Sequence, residues 1–299
     1  MKQMDRRDFI RTGVLGMAGL SILRPGLAEI NHGLQQNATV DMVKFGNTGL
    51  TVSRIAMGTG TKATNGKDSG QTRGGMDNFL KLAHHAYDRG IRFYDTAEAY
   101  GSMPFVGEAI KTLPRENLTI LTKMWTQPRP NSAPVTSITE SLDRYRKELN
   151  SDYIDVLLMH CLLSGDWPTT CARYMDLFSK AKQDGILKKI GVSCHHIDAL
   201  KEASVNPWVD VIMARVNPFG TNMDGTAEEV KAILATAKAN GKGIIGMKIF
   251  GEGVHVADDE REQSFRFAIK EEVVHCMTLG CETIAQLDDA IDRVMKIAS

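Results

Sequence analysis

The chain has 299 residues, 42% of them apolar and 24% charged, and its 36 Lys+Arg balance its 36 Asp+Glu to a formal net charge of zero. Such a composition buries a full core, which excludes intrinsic disorder and a multi-pass membrane protein, and the lack of a basic excess argues against a nucleic-acid binder. The length fits two domains or one large α/β barrel of ~250 residues.

The charge is unevenly spread. Residues 1–28 hold five basic groups (Lys2, Arg6, Arg7, Arg11, Arg24) and two acidic ones (Asp5, Asp8), which leaves the rest of the chain with a balance of −3. A mild apolar run, Thr12 to Leu23, follows the arginines, and Gly26 and Ala28 put small residues before Glu29. This is the layout of a secretory leader of the twin-arginine (Tat) type, with cleavage expected after Ala28. The run is shorter than the ~20 residues that span a bilayer. The expectation is a protein exported to the periplasm through the Tat machinery, with no stable membrane span. Residues 29–41 read as a polar spacer and 42–299 as one folded domain.

Met42 to Ser53 reads as a β-hairpin, with Asn47-Thr48-Gly49 as its turn, placed to cap the bottom of a barrel. Short β-rich runs then appear at Ile55–Met57, Arg92–Tyr94, Leu118–Leu121, Tyr153–Met159, Lys189–Val192, Val209–Met213, Gly243–Met247 and Val273–Met277. Amphipathic stretches alternate with them: Asp77–Arg89, Ser137–Leu149, Thr170–Gln183, Glu228–Asn240 and Ile284–Ile297. Eight β runs alternating with helical ones predict a (β/α)8 TIM barrel. An open doubly wound sheet would need a Gly-x-Gly-x-x-Gly turn and a prompt helix after the first strand. Gly58-Thr59-Gly60-Thr61-Lys62-Ala63 instead leads into a long polar loop reaching Gly75. The five cysteines (Cys161, Cys171, Cys194, Cys276, Cys281) include no Cys-x2-Cys pair and read mostly as buried thiols, and no metal site is predicted.

Active sites of such barrels gather at the C-terminal ends of the strands. Asp95 and Tyr100 follow the second barrel strand, Lys123 ends the third and His160 follows the fourth. Singly, each has an ordinary explanation as a helix cap, a rim aromatic, a solvated strand end or a satisfied polar group. Together they make a proton-delivery device. An ammonium beside a phenol lowers its pKa, a carboxylate holds the ammonium, and an imidazole orients a carbonyl oxygen. The device suits reduction of C=O with hydride supplied by a cofactor.

The chain resembles the aldo-keto reductases. The resemblance rests on Gly49-Leu50-Thr51-Val52-Ser53, Met57-Gly58-Thr59-Gly60, the run Gly90 to Gly101 with its DTAEAYG, Leu121-Thr122-Lys123, Asp155 to His160, and Ile190-Gly191-Val192-Ser193. It implies a catalytic tetrad of Asp95, Tyr100, Lys123 and His160, with Tyr100 as general acid in reduction and general base in oxidation. The implied reaction is reversible hydride transfer between NAD or NADP and a small aldehyde, ketone or alcohol, including a sugar.

The cofactor half departs from the family pattern. The Ser-Asn pair that holds the nicotinamide amide reads Ser193-Cys194, and the following Gln reads Met213. Cys194 and Met213 cannot make those amide hydrogen bonds. Met247 stands where an aromatic often stacks; Lys248 is placed to reach a phosphate or to stay solvated, and Gly251 lies in the following turn. Glu282 occupies the position of a basic residue that grips the 2′-phosphate, which favours NAD over NADP; equally, it is an acid at a helix N-terminus. The chain stops after its last helix, so an open mouth is expected, with Trp125 and Trp167 either walling it or belonging to the core. The alternative reading is a barrel that binds a dinucleotide or carbohydrate without turnover.

Overall fold

A computed structural model describes residues 38–63, 69–126 and 138–299, so the predicted leader and most of the spacer lie outside the described residues. Strands β1 (Met42–Lys44) and β2 (Thr51–Ser53) form the predicted antiparallel hairpin, with Val43 opposite Val52. The Thr48 hydroxyl donates to the Phe45 carbonyl at 2.6 Å and fixes the turn.

Eight parallel strands follow: β3 (Ile55–Gly58), β4 (Phe93–Asp95), β5 (Thr119–Trp125), β6 (Ile154–Leu162), β7 (Leu187–Cys194), β8 (Val211–Arg215), β9 (Gly243–Met247) and β10 (Cys276–Leu279). They close into a barrel in which β10 pairs with β3, Met277 opposite Ile55. The fold is a (β/α)8 barrel, as expected. Parallel strands buried on both faces carry near-continuous apolar runs, and β6 is buried at all but one of its nine positions. Alternation then sorts them. Residues such as Tyr94, Ile120, Leu157, Val192 and Ile212 face outward into the core under the helices. Phe93, Leu121, Val156, Leu158, Val211, Met213 and Ile245 fill the barrel interior.

Phe45 and Val52 join that interior cluster from the hairpin. Phe45 lies edge-on to Phe93 at 6.1 Å and to His275 at 6.0 Å, beside the first residue of β9. The hairpin therefore plugs the N-terminal end of the barrel, as predicted, and leaves the opposite end for chemistry.

The outer ring comprises α1 (Met76–Asp88), α2 (Met103–Ile110), α3 (Ile138–Glu148), α4 (Trp167–Thr170), α5 (Ala172–Gln183), α6 (Ile197–Val205), α7 (Ala227–Ala239), α8 (Asp258–Lys270) and α9 (Ile284–Ala298). All five predicted helices form. In α1 the spacing of Phe79, Leu82, Ala83 and Ala86 makes one buried stripe. The unpredicted α8 is rich in charge and buries only Ser264, Phe265, Phe267 and Ala268, so its apolar period is faint. Among the described residues no helix is long and apolar enough to cross a membrane.

Candidate active site

Asp95, Lys123 and His160 lie on the inward faces of β4, β5 and β6, and Tyr100 ends a one-turn 3-10 helix, Glu98–Tyr100. Gly101 follows with φ +67°, a conformation that glycine adopts without strain and that turns the chain into α2. The segment is laced together below: Thr59 Oγ1 donates to the Asp95 carbonyl at 2.8 Å, and the Ser102 hydroxyl bridges Thr59 and Thr96 at 2.7 and 2.6 Å. Gly60 lies under the Tyr100 ring, where a Cβ would stand 2.4 Å from Cε2. Lack of a side chain at residue 60 is what lets the phenol sit there.

Lys123 is the hub. Its ammonium, 1% exposed, pairs with Asp95 Oδ1 and donates to the Thr96 carbonyl at 3.0 Å and to the Tyr100 hydroxyl at 3.5 Å. Thr278 on β10 donates to the other Asp95 oxygen at 2.8 Å. Burial pulls the Lys123 amine down, but Asp95 and then Tyr100 outweigh it and hold the amine above its ordinary range. Burial pushes the Tyr100 phenol up, and Lys123 offsets this only in part. The expectation that Lys123 lowers the phenol thus holds for the pairwise effect and not for the net direction, because desolvation is the larger contribution. The His160 ring stands edge-on to Tyr100 at 5.7 Å and to Trp125 at 5.5 Å. Trp125 therefore belongs to the site, whereas Trp167 is 1% exposed and packs near Trp208 at 6.2 Å in the core.

The sequence reading missed Glu98. Its carboxylate accepts the Trp125 backbone N–H at 2.8 Å and the Tyr145 hydroxyl at 2.5 Å, with Arg144 at 3.3 Å. It ties the turn that carries Tyr100 to the end of β5 and to α3. Its place inside DTAEAYG was the available signal.

The residues expected around a cofactor divide. Ser193 faces inward, fully buried, beside Met213, which is 1% exposed on the interior face. Met247 lies on the same face of β9. Cys194 is a correction: it is fully buried in the outer core under the helices, because alternation along β7 turns it away from the face that Ser193 occupies. Burial also pushes its thiol well up, so it is an inert buried thiol. Lys248 takes φ +56° and pairs with Glu252 at 2.5 Å, and Gly251 packs against His255 and Thr221. Glu282 sits just before α9, its carboxylate over Gly70, where a Cβ would stand 2.3 Å from Oε1. Among the described residues no three potential metal ligands cluster.

A barrel with this constellation at its mouth defines a class, and comparison with known proteins names it. The aldo/keto reductase family model matches residues 56–298. The chain belongs to the aldo/keto reductase family, a family of NAD(P)-dependent oxidoreductases. It is 28% identical over 179 residues to methylglyoxal reductase DkgB of Salmonella typhi, a match spanning 58% of this chain and 62% of that protein's length. It is 26% identical over 256 residues to L-galactose dehydrogenase of Arabidopsis thaliana, covering 81% of this chain and 76% of that one. The Bombyx mori aldo-keto reductase solved in complex with NADP superposes with a TM-score of 0.63 at 21% identity, over 87% of this chain and 92% of that one.

Proposed function

We propose that this chain is a hydride-transfer oxidoreductase that interconverts a small aldehyde or ketone and its alcohol. The observation that carries the reading is the buried Lys123 ammonium, joined to Asp95 on one side and 3.5 Å from the Tyr100 hydroxyl on the other. In reduction the Tyr100 hydroxyl gives its proton to the carbonyl oxygen, and in oxidation the phenolate takes the alcohol proton. Lys123 stabilises the phenolate, and Asp95 fixes Lys123 in charge and place. His160, facing Tyr100, donates to the same oxygen and sets the side from which the substrate presents itself. The bound nicotinamide supplies or takes the hydride.

The residues present fit such a group. Ser193 Oγ is buried on the interior face with no hydrogen-bond partner among the described residues, leaving a donor for a ligand amide, and Met213 and Met247 offer apolar surface beside it. Glu282 favours NAD, since a carboxylate accepts from a ribose diol and repels a 2′-phosphate. Two relatives carry names built on methylglyoxal and L-galactose, which supports 2-oxoaldehydes and aldoses as the first substrates to try. The test is nicotinamide absorbance with methylglyoxal and with aldoses, using NADH and NADPH. Tyr100→Phe is expected to abolish most turnover while cofactor affinity stays intact. Turnover that survives Tyr100→Phe sinks the mechanism, and a native chain that binds cofactor without turnover supports the binding-barrel alternative.

The paired Arg6-Arg7 leader supports export in a folded state with cofactor loaded beforehand, since a periplasmic enzyme cannot draw on the cell's nicotinamide pool. Fractionation of cells expressing the full chain and an Arg6→Lys/Arg7→Lys variant tests this; equal periplasmic recovery of both would refute it.

A further inference from the structure

Two positions that usually hold the nicotinamide carboxamide fail here: Cys194 faces the helices and Met213 has no donor or acceptor for an amide. The next residue, His195, lies just past the end of β7. Ser193 Oγ and His195 Nδ1 are both buried and have no hydrogen-bond partner among the described residues. Native structures seldom leave such atoms unmatched, and at a barrel mouth a ligand is the natural partner. We infer that Ser193 and His195 together hold the carboxamide of the nicotinamide ring, His195 taking over the role of the missing asparagine. This rests on the hydride-transfer reading above.

The backbone supports the assignment. His195 N–H donates to the Leu162 carbonyl of β6 at 2.8 Å, and the His195 carbonyl accepts from Arg215 Nη2 of β8 at 3.1 Å. Residue 195 is thereby pinned from both neighbouring strands, at the C-terminal end of the barrel. Arg215 is itself fixed by Asp224, whose side chain is fully buried. A carboxamide offers one acceptor and two donor hydrogens. A serine hydroxyl donates to the oxygen, and a neutral imidazole nitrogen accepts from the nitrogen. The ring is held neutral: burial first, then Lys248, Arg215 and Lys123, lower its pKa to about 3. An imidazolium would have no lone pair for the amide.

Calorimetric titration of the purified full chain decides it, with NADH and NADPH as probes and ADP-ribose and its 2′-phosphate as controls lacking nicotinamide. His195→Ala is expected to weaken the nicotinamide-bearing ligands roughly tenfold, the worth of one net hydrogen bond of ~1.4 kcal/mol, while the controls bind unchanged. His195→Asn restores most of the loss, and thermal melts confirm that both variants fold. Equal weakening of ligands and controls, or no change in any, overturns the assignment while leaving the oxidoreductase reading standing. A native chain that binds the controls and neither NADH nor NADPH overturns both.

Discussion

Replacing Asp95 with asparagine removes one charge from a buried pair without removing the shape that holds it. Lys123 and Asp95 are 1% and 6% exposed, so water compensates neither. In Asp95→Asn the ammonium keeps only the Thr96 carbonyl at 3.0 Å and the Tyr100 hydroxyl at 3.5 Å, both neutral, and the side-chain amide oxygen can still accept from Thr278. Breaking a buried pair by deleting one partner costs ~3–5 kcal/mol, which corresponds to a melting temperature lower by roughly 10 °C in a domain of this size. Adding Lys123→Met removes the stranded charge and returns most of that stability, since a volume-matched apolar pair is close to neutral. Denaturant unfolding of the native chain, both single variants and the double variant measures the coupling. Because Lys123 is held above its ordinary pKa, its contribution is complete below about pH 10 and fades only as pH rises through the folded value, so the deficit stays flat across neutral pH. A deficit under about 1 kcal/mol, or a double variant no more stable than Asp95→Asn, would refute the reasoning.

Phe45→Ala unplugs the barrel bottom and is expected to cost ~3–5 kcal/mol in a denaturant melt without changing cofactor affinity, because Phe45 is fully buried at the end opposite the site. Burial, then Lys238, lowers His275 to about 4, and burial foremost lowers His195 to about 3, so both fold neutral. Each lies below its unfolded value of ~6.5, so stability is complete above that pH and falls as pH drops toward 4; a melting temperature that is level over this range contradicts it. Glu98→Gln keeps an acceptor for the Trp125 amide and is expected to lower kcat by less than tenfold, whereas Glu98→Ala frees the Tyr100 turn and lowers it roughly a hundredfold with KM less affected. Equal kcat for the two variants rules out the positioning role.

The eight strands were legible because parallel strands buried on both faces write themselves as unbroken apolar runs. Asp95, Lys123 and His160 were legible because each polar residue interrupts or directly follows such a run, and Tyr100 because it belongs to the DTAEAYG segment that runs on from β4. Cys194 was misplaced because it was located by counting from Ser193 rather than by face. Trp167 was ambiguous because nothing in a single sequence says whether a loop aromatic folds inward, and here it opens α4 and packs beside Trp208. Helix α8 escaped because its charged residues outnumber the few it buries.

The hydroxyl that steadies Asp95 comes from Thr278, 183 residues downstream on the strand that closes the ring. A nascent or truncated chain ending before β10 would therefore lack both the seam with β3 and a ligand of the aspartate that governs Lys123. Completeness of the polypeptide and competence of the site are reported by one hydrogen bond, so a partly made barrel would be poorly equipped to start chemistry before it is whole.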